Sequence, residues 1–228
     1  RGAAHIEGKA VFIHGALPGE EVSFLLSGRH RRYDEGVVQE VLRASPDRTE
    51  PRCPHFGLCG GCSLQHMRDE AQIRAKEESL IQSLQRIGKV NPEQVLPPLT
   101  ASATWGYRSR ARLGVKHVHK KGRVLVGFHE RGSSFIADLS RCEILPPRIG
   151  YLLEPLARLV EILSIADQIP QIEVALGDEV GALVFRLLVP PRPEDLAALR
   201  AFGEAHELEI SIQEGGPESI RPLVESPR

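Results

Sequence analysis

Residues 53–62 read Cys53-Pro-His-Phe-Gly-Leu-Cys-Gly-Gly-Cys62, and 79 further residues separate this loop from the remaining cysteine of the chain, Cys142. A C-x5-C-x2-C loop can wrap a metal centre from one side, and a distant fourth thiolate then closes the ligand shell. The three glycines of the loop allow backbone conformations that a Cβ would obstruct. Four thiolates suit an iron–sulfur cluster or a structural zinc ion, so the pattern predicts one centre that joins two distant segments.

Disulfides or buried thiols are the alternatives to a metal centre. A disulfide framework is typical of small secreted domains, usually with a signal peptide. This chain has 228 residues with only 4 cysteines, and no apolar signal segment opens it. We therefore predict a metal centre. Spacing alone decides little between cluster and zinc, although zinc sites more often have two C-x2-C pairs and this loop has one.

Composition is that of a soluble globular protein, with 41% hydrophobic and 26% charged residues. No segment approaches the ~20 apolar residues of a membrane helix, and no targeting sequence is visible. We therefore expect a cytoplasmic monomer with no membrane association. The chain begins with Arg1 rather than methionine, which indicates a fragment or a processed chain.

The net charge of −1 conceals an uneven distribution along the chain. Residues 53–150 carry 15 basic and 8 acidic side chains, whereas residues 151–228 carry 6 basic and 14 acidic ones. A basic middle segment beside the cysteine loop favours a polyanionic partner, and nucleic acid is the first candidate. The alternative is a solvated surface with a local charge bias.

The secondary-structure pattern predicts an α+β protein. Alternating apolar residues and turn signals predict strands at 9–13, 21–26 and 33–42, and three strands cannot close a barrel, so we expect a partner strand before Arg1. A helix is expected at 68–87, followed by strands at 105–115 and 123–128 around the turn Lys120-Lys121-Gly122. The last third predicts an antiparallel α+β arrangement, with helices at 149–163 and 193–206 and strands at 171–176, 182–188 and 208–213.

A basic surface is predicted on the strand at 105–115. A period of two places Arg108, Arg110 and Arg112 on one face of that strand. Basic side chains interleaved with aromatic ones suit single-stranded or looped RNA. The alternative is an exposed strand whose side chains extend into water. The predicted RNA contacts are Tyr107, Arg108, Arg110, Arg112, Lys120, Lys121, Arg123 and Arg131.

Three motifs resemble one family. The stretch from Pro51 to His66, PRCPHFGLCGGCSLQH, is similar to the cluster loop of bacterial RNA (uracil-5-)methyltransferases. The stretches WGYRSRARL, from Trp105, and VGFHERGS, from Val126, also resemble that family. Within it, the resemblance is to the 23S ribosomal RNA enzymes of the RumA type.

The resemblance implies a domain organisation and a ligand set. Residues 1–45 would be an incomplete TRAM domain, an OB-like β-barrel that binds RNA. Residues 46–228 would be a central domain that carries a [4Fe–4S] cluster on Cys53, Cys59, Cys62 and Cys142. The family's third domain, which binds S-adenosylmethionine, is absent, and no catalytic role of the family falls on a residue of this chain. We therefore expect a portion truncated at both ends and inactive by itself.

The expected function is accordingly that of the RNA-binding, [4Fe–4S]-bearing portion of an S-adenosylmethionine-dependent enzyme that forms 5-methyluridine in 23S ribosomal RNA. The main alternative is a stand-alone RNA-binding iron–sulfur or zinc module without catalysis. An electron-transfer protein of the ferredoxin type is a further alternative. A TRAM-like leader and a remote fourth ligand would be unusual in such a carrier.

Overall fold

A computed structural model describes residues 1–101 and 103–224 of the protein. The chain divides into two compact units. The first contains residues 1–57 and 63–101, and the second contains residues 58–62 and the described residues from 103 onward. Among the described helices, none is both long and apolar enough to cross a membrane.

The first unit is a four-stranded mixed sheet followed by one helix. Its strands are β1 (Gly2–Ile6), β2 (Lys9–His14), β3 (Glu21–Arg29) and β4 (Tyr33–Arg43), in the order β1-β2-β4-β3. Strands β2 and β4 run parallel, and the other neighbours run antiparallel. Helix α1 (Asp69–Arg86) confirms the helix predicted at 68–87.

The sequence reasoning did not predict strand β1 at Gly2–Ile6, which pairs antiparallel with β2 and gives the sheet a fourth strand. This strand is short and contains two alanines, so its propensity signal is weak. Within the described residues β1 and β3 form the two edges of the sheet. The small hydrophobic core of this sheet consists of the buried side chains of Val11, Ile13 and Ala16.

The second unit contains a six-stranded sheet with helices packed on it. Its strands are β5 (Arg110–Val118), β6 (Arg123–Gly127), β7 (Gln171–Leu176), β8 (Gly181–Arg186), β9 (Leu208–Gln213) and β10 (Arg221–Pro222), in the order β10-β9-β8-β7-β5-β6. The helices are α2 (Pro147–Gly150), α3 (Leu153–Ile162) and α4 (Pro193–His206).

One core fills the space between this sheet and its helices. Alternate strand residues such as Ile172, Phe185 and Ile212 are fully buried, as are Leu156 of α3 and Leu199 of α4. Burying each such side chain contributes about 1.5–3 kcal/mol, so this cluster dominates the stability of the unit. The fold is α+β, as the sequence predicted.

The prediction of an entirely antiparallel arrangement was wrong. Strands β8 and β9 are parallel, because α4 crosses between them and returns the chain to the same end of the sheet. The helix predicted at 149–163 is divided into α2 and α3 by a break at residues 151–152.

The strand predicted at 105–115 begins only at Arg110. Before it, Gly106 has a left-handed φ of 64°. The backbone N–H groups of Gly106 and Arg108 donate to the carbonyls of Glu143 and Ile144 at 3.1 and 2.9 Å. These bonds replace strand pairing, and Arg108 therefore precedes the strand.

A buried ion pair fixes the loops of the first unit. The fully buried Glu20 carboxylate accepts hydrogen bonds from Nε and Nη2 of Arg48 at 2.5 and 2.6 Å and from the backbone N–H groups of Leu17 and Ser45. Arg48 also donates to the carbonyl of Gly15 at 2.6 Å. Burial alone would raise the pKa of Glu20, but these hydrogen bonds outweigh it and lower the pKa to about 2.

Replacing Glu20 with Gln should destabilise the first unit by roughly 3 kcal/mol, because it leaves the Arg48 charge in a half-buried site without its counter-ion. Urea unfolding measures the difference, and Glu21→Gln, at the exposed start of β3, is the matched control.

The same pair predicts a pH dependence. The pKa of Glu20 is depressed in the folded chain, so its stabilising contribution is complete above about pH 4.5 and is lost as the pH falls toward about 2. The free-energy difference between wild type and Glu20→Gln should shrink over that range. A difference that does not change with pH would contradict the assignment.

Candidate metal centre and nucleic-acid surface

Residues 58–62 of the cysteine loop dock on the segment that follows β6. Cys59 forms an isolated antiparallel bridge with Glu130, and the backbone N–H of Gly60 donates to the carbonyl of His129 at 2.8 Å. A Cβ on Gly60 would lie 3.0 Å from that carbonyl oxygen, so glycine permits the close approach. Backbone pairing therefore fixes the position of the loop.

Arg131 reinforces this docking. Its guanidinium donates to the carbonyl oxygen of Cys62 at 2.7 Å, and its backbone N–H donates to the carbonyl of Leu58 at 2.8 Å. The sequence predicted Arg131 as an RNA contact, whereas the structure shows it bound to the cysteine loop.

Cys142 is the most buried of the cysteines, with 7% of its surface exposed. Its backbone N–H donates to the carbonyl of Gly150 at 2.8 Å, and a Cβ on Gly150 would lie only 2.3 Å from the Cys142 carbonyl oxygen. Glycine at position 150 is therefore required for α2 to pack against the backbone of Cys142.

The environment of the Cys142 sulfur links it to the loop. Burial raises the pKa of the Cys142 thiol, hydrogen bonds from Leu145 and Ile144 partly offset this, and the nearby Cys62 and Cys59 raise it further. Cys59 and Cys62 also pack against the core that contains Cys142. The structure thus brings three of the four predicted ligands into one region of the second unit.

Cys53 belongs to the first unit. Its backbone N–H donates to Oε1 of Gln65 at 3.1 Å, and its carbonyl accepts from the backbone N–H of Phe56. No disulfide forms among the described residues.

The predicted basic residues of the second unit divide into two groups. Besides Arg131, four make contacts within the protein: Arg112 pairs with Glu173 at 3.1 Å, Lys121 and Arg123 both pair with Asp138, and the Arg108 guanidinium lies 5.7 Å from the Phe128 ring centroid. Arg110 and Lys120 are exposed and have no ion pair within residues 103–224. Tyr107 is 57% exposed.

Asp138 is the anion that holds two of these cations. Burial opposes its ionisation, but Lys121 and Arg123 together hold the pKa of Asp138 below its ordinary value. The carboxylate is therefore ionised at neutral pH and neutralises part of the basic surface.

A second basic surface, which the sequence reasoning missed, lies at the β3–β4 turn of the first unit. The run Arg29-His30-Arg31-Arg32 is exposed, and the His30 ring stacks on Tyr33 with centroids 4.4 Å apart. Phe12 packs edge-on against Tyr33 at 5.6 Å. The signal was available, since three arginines and a tyrosine cluster between two predicted strands. A supported aromatic ring beside several cations suits single-stranded RNA.

Comparison with known proteins gives two close relatives in sequence. The chain is 56% identical over 223 residues to the 23S rRNA (uracil(1939)-C(5))-methyltransferase RlmD of Nitrosococcus oceani, covering 98% of this chain and 50% of the relative. It is 51% identical over 227 residues to the protein of the same name from Alkalilimnicola ehrlichii, covering 100% of this chain and 51% of that relative. No family model matches.

Among solved structures, the fold resembles the Pyrococcus abyssi tRNA (uracil-54, C5)-methyltransferase in complex with S-adenosyl-L-homocysteine. The TM-score is 0.61 at 20% identity, over 92% of this chain and 48% of that one. At this identity the likeness shows the fold alone. The sequence identities to these relatives confirm, over nearly the whole chain, the resemblance to RNA (uracil-5-)methyltransferases that the cysteine loop indicated. The chain spans about half the length of the curated relatives it matches.

Proposed function

We propose that this chain is the RNA-binding, cluster-bearing portion of an S-adenosylmethionine-dependent enzyme that forms 5-methyluridine in 23S ribosomal RNA. The observation that carries the proposal is the 56% identity over 98% of the chain to a protein named for that reaction. The part of this chain that is matched includes the cysteine loop and both basic surfaces. The site of action is the cytoplasm, where ribosomal RNA is modified.

The metal centre of the proposal is a [4Fe–4S] cluster on Cys53, Cys59, Cys62 and Cys142. One feature of the second unit supports it: three of these thiols, those of Cys59, Cys62 and Cys142, share one region. The resemblance supplies Cys53 as the fourth ligand. Bound there, the cluster would cross-link segments far apart in sequence and stabilise the fold.

RNA binding is assigned to the two basic surfaces. In the first unit, which we propose contains a TRAM-type RNA-binding domain at residues 1–45, the contacts are the arginines around the His30–Tyr33 stack. In the second unit they are Arg110, Lys120 and Tyr107, together with Arg112, whose exposed pair with Glu173 is weak enough to exchange for a phosphate. Such surfaces hold the backbone and stack bases while a target uridine is displaced from its helix.

The decisive experiment is methyl transfer from labelled S-adenosylmethionine to 23S ribosomal RNA transcripts. The complete gene product should form 5-methyluridine, whereas the present chain should bind the transcript without transferring methyl groups. If the complete product binds iron and RNA but methylates no uridine, the alternative of a non-catalytic RNA-binding module is the correct one.

Replacing Cys142 with Ser should remove the cluster, because this residue is the only proposed ligand outside the loop. Anaerobically purified wild type should contain about four irons per chain, and the variant should contain almost none. Iron, sulfide and zinc analysis makes the measurement.

The control is Leu139→Ala, which opens a cavity in the same core without touching a ligand. Wild-type iron content in Cys142→Ser would refute the ligand assignment. One zinc per wild-type chain in place of iron would favour the zinc-stabilised module.

Two double variants test the RNA surfaces: Arg110→Ala with Lys120→Ala, and Arg31→Ala with Arg32→Ala. Each should weaken binding to a single-stranded transcript and reduce the slope of log K against log salt by about 1.4, since each lost phosphate contact accounts for about 0.7. Arg158→Ala is the control, because that exposed arginine on α3 pairs with Glu154. A double variant with wild-type affinity and salt slope would remove its surface from the RNA interface.

A further inference from the structure

Three side chains of the second unit, His117, His119 and Asp167, form a cluster outside the cysteine region. One ligand atom from each lies within 4.8 Å of the others. No other group of three or more His, Cys, Asp or Glu residues meets this criterion in the parts of the chain that the structure describes, residues 1–101 and 103–224.

The fold places these residues together at one end of β5. His117 is the last residue but one of β5, and His119 begins the 3-10 turn His119–Lys121 that leads into β6. Asp167 lies in a second 3-10 turn, Ala166–Gln168. The backbone N–H of Val115 donates to the carbonyl of Pro170 at 3.0 Å, which holds the second turn alongside β5.

The distances fit shared coordination better than ion pairing. Oδ1 of Asp167 lies 3.2 Å from Nδ1 of His117 and 3.6 Å from Nε2 of His119. Charge-assisted hydrogen bonds are usually 2.7–2.9 Å long. A tetrahedral zinc ion with bonds of 2.0–2.1 Å separates neighbouring ligand atoms by about 3.3 Å, close to both values.

The His117 ring supplies a second argument. Its Nδ1 atom is buried and makes no geometrically acceptable hydrogen bond, although Asp167 is nearby. The two imidazole rings lie with centroids 4.3 Å apart and tilted by 44°, so both present nitrogen atoms to the same carboxylate. A buried nitrogen without a hydrogen bond is costly unless something else binds it.

The donor atoms of the cluster indicate which metal ions it would bind. Two imidazoles and one carboxylate are the donors preferred by zinc and neighbouring divalent transition metals, and not by magnesium or calcium. His119 and Asp167 are 74% and 53% exposed, so an ion there would have open access and a coordination position for water. The nearby Lys121 is held by Asp138 and does not compete for Asp167.

We propose that His117, His119 and Asp167 bind one divalent transition-metal ion of the zinc class. The ion would join the end of the β5–β6 hairpin to the turn at Ala166–Gln168. It is separate from the cysteine centre and does not depend on the proposed methyltransferase function.

Zinc alone is the probe, and the readout is the ring nitrogen chemical shifts of the histidines in a ¹⁵N-labelled chain. This readout is needed because the cysteine thiolates also bind zinc and would dominate any total metal count. Titration should shift the coordinating nitrogens of His117 and His119 together and leave those of His206, which lies on α4, unchanged.

Matched variants complete the test. His117→Gln and the more exposed Asp167→Asn should each lower the zinc affinity, read from the histidine shifts that remain, at least about tenfold. Even residues that only hydrogen-bond to a metal ligand contribute that much to metal affinity. His206→Gln, a half-buried histidine of the same unit stacked on Phe202, should have no effect. If millimolar zinc shifts neither His117 nor His119, or if Asp167→Asn binds as the wild type does, the proposal is wrong.

Discussion

The antiparallel pairing of β5 with β6 is the interaction on which most functional features of the second unit depend. Its register joins Gly114 to Gly127 at one end and Val118 to Arg123 at the other. A Cβ at Gly114 would lie 2.3 Å from Ile136, and one at Gly127 would lie 2.7 Å from Leu139. The segment that leads to Cys142 therefore packs directly on the glycine end of the hairpin, which only residues without a Cβ permit.

The same hairpin determines where the candidate functional residues of the second unit lie. Beyond Gly127 the chain continues to His129–Arg131, where backbone pairing and the Arg131 guanidinium hold the loop with Cys59 and Cys62. At the opposite end are the exposed Lys120 and the His117–His119–Asp167 cluster. A change in the strand register would displace the thiols, the basic side chains and the histidines together, since a one-residue shift moves every side chain to the other face.

Carboxylates of the protein neutralise part of the basic surface of the second unit. Asp138 and Glu173 pair with three of the cations that the sequence predicted as RNA contacts. Exposed pairs of this kind contribute at most about 1 kcal/mol, so a phosphate can replace the carboxylate at little cost. The buried Glu20–Arg48 pair of the first unit is different, because its carboxylate is inaccessible and fully hydrogen-bonded. It is a structural element and not a binding surface.

The sequence by itself determined the α+β class, the helices α1 and α4, most strand positions and the family resemblance, because these depend on local periodicity and on the spacing of cysteines along the chain. Tertiary structure decided the rest. Strand β9 became parallel to β8 because α4 crosses between them, and the arginine strand was shortened because Gly106 and Arg108 bond to the chain near Cys142. The partners of Arg131, Arg112 and the histidine pair lie 69, 61 and about 50 residues away, and no pattern along the chain specifies contacts over such separations.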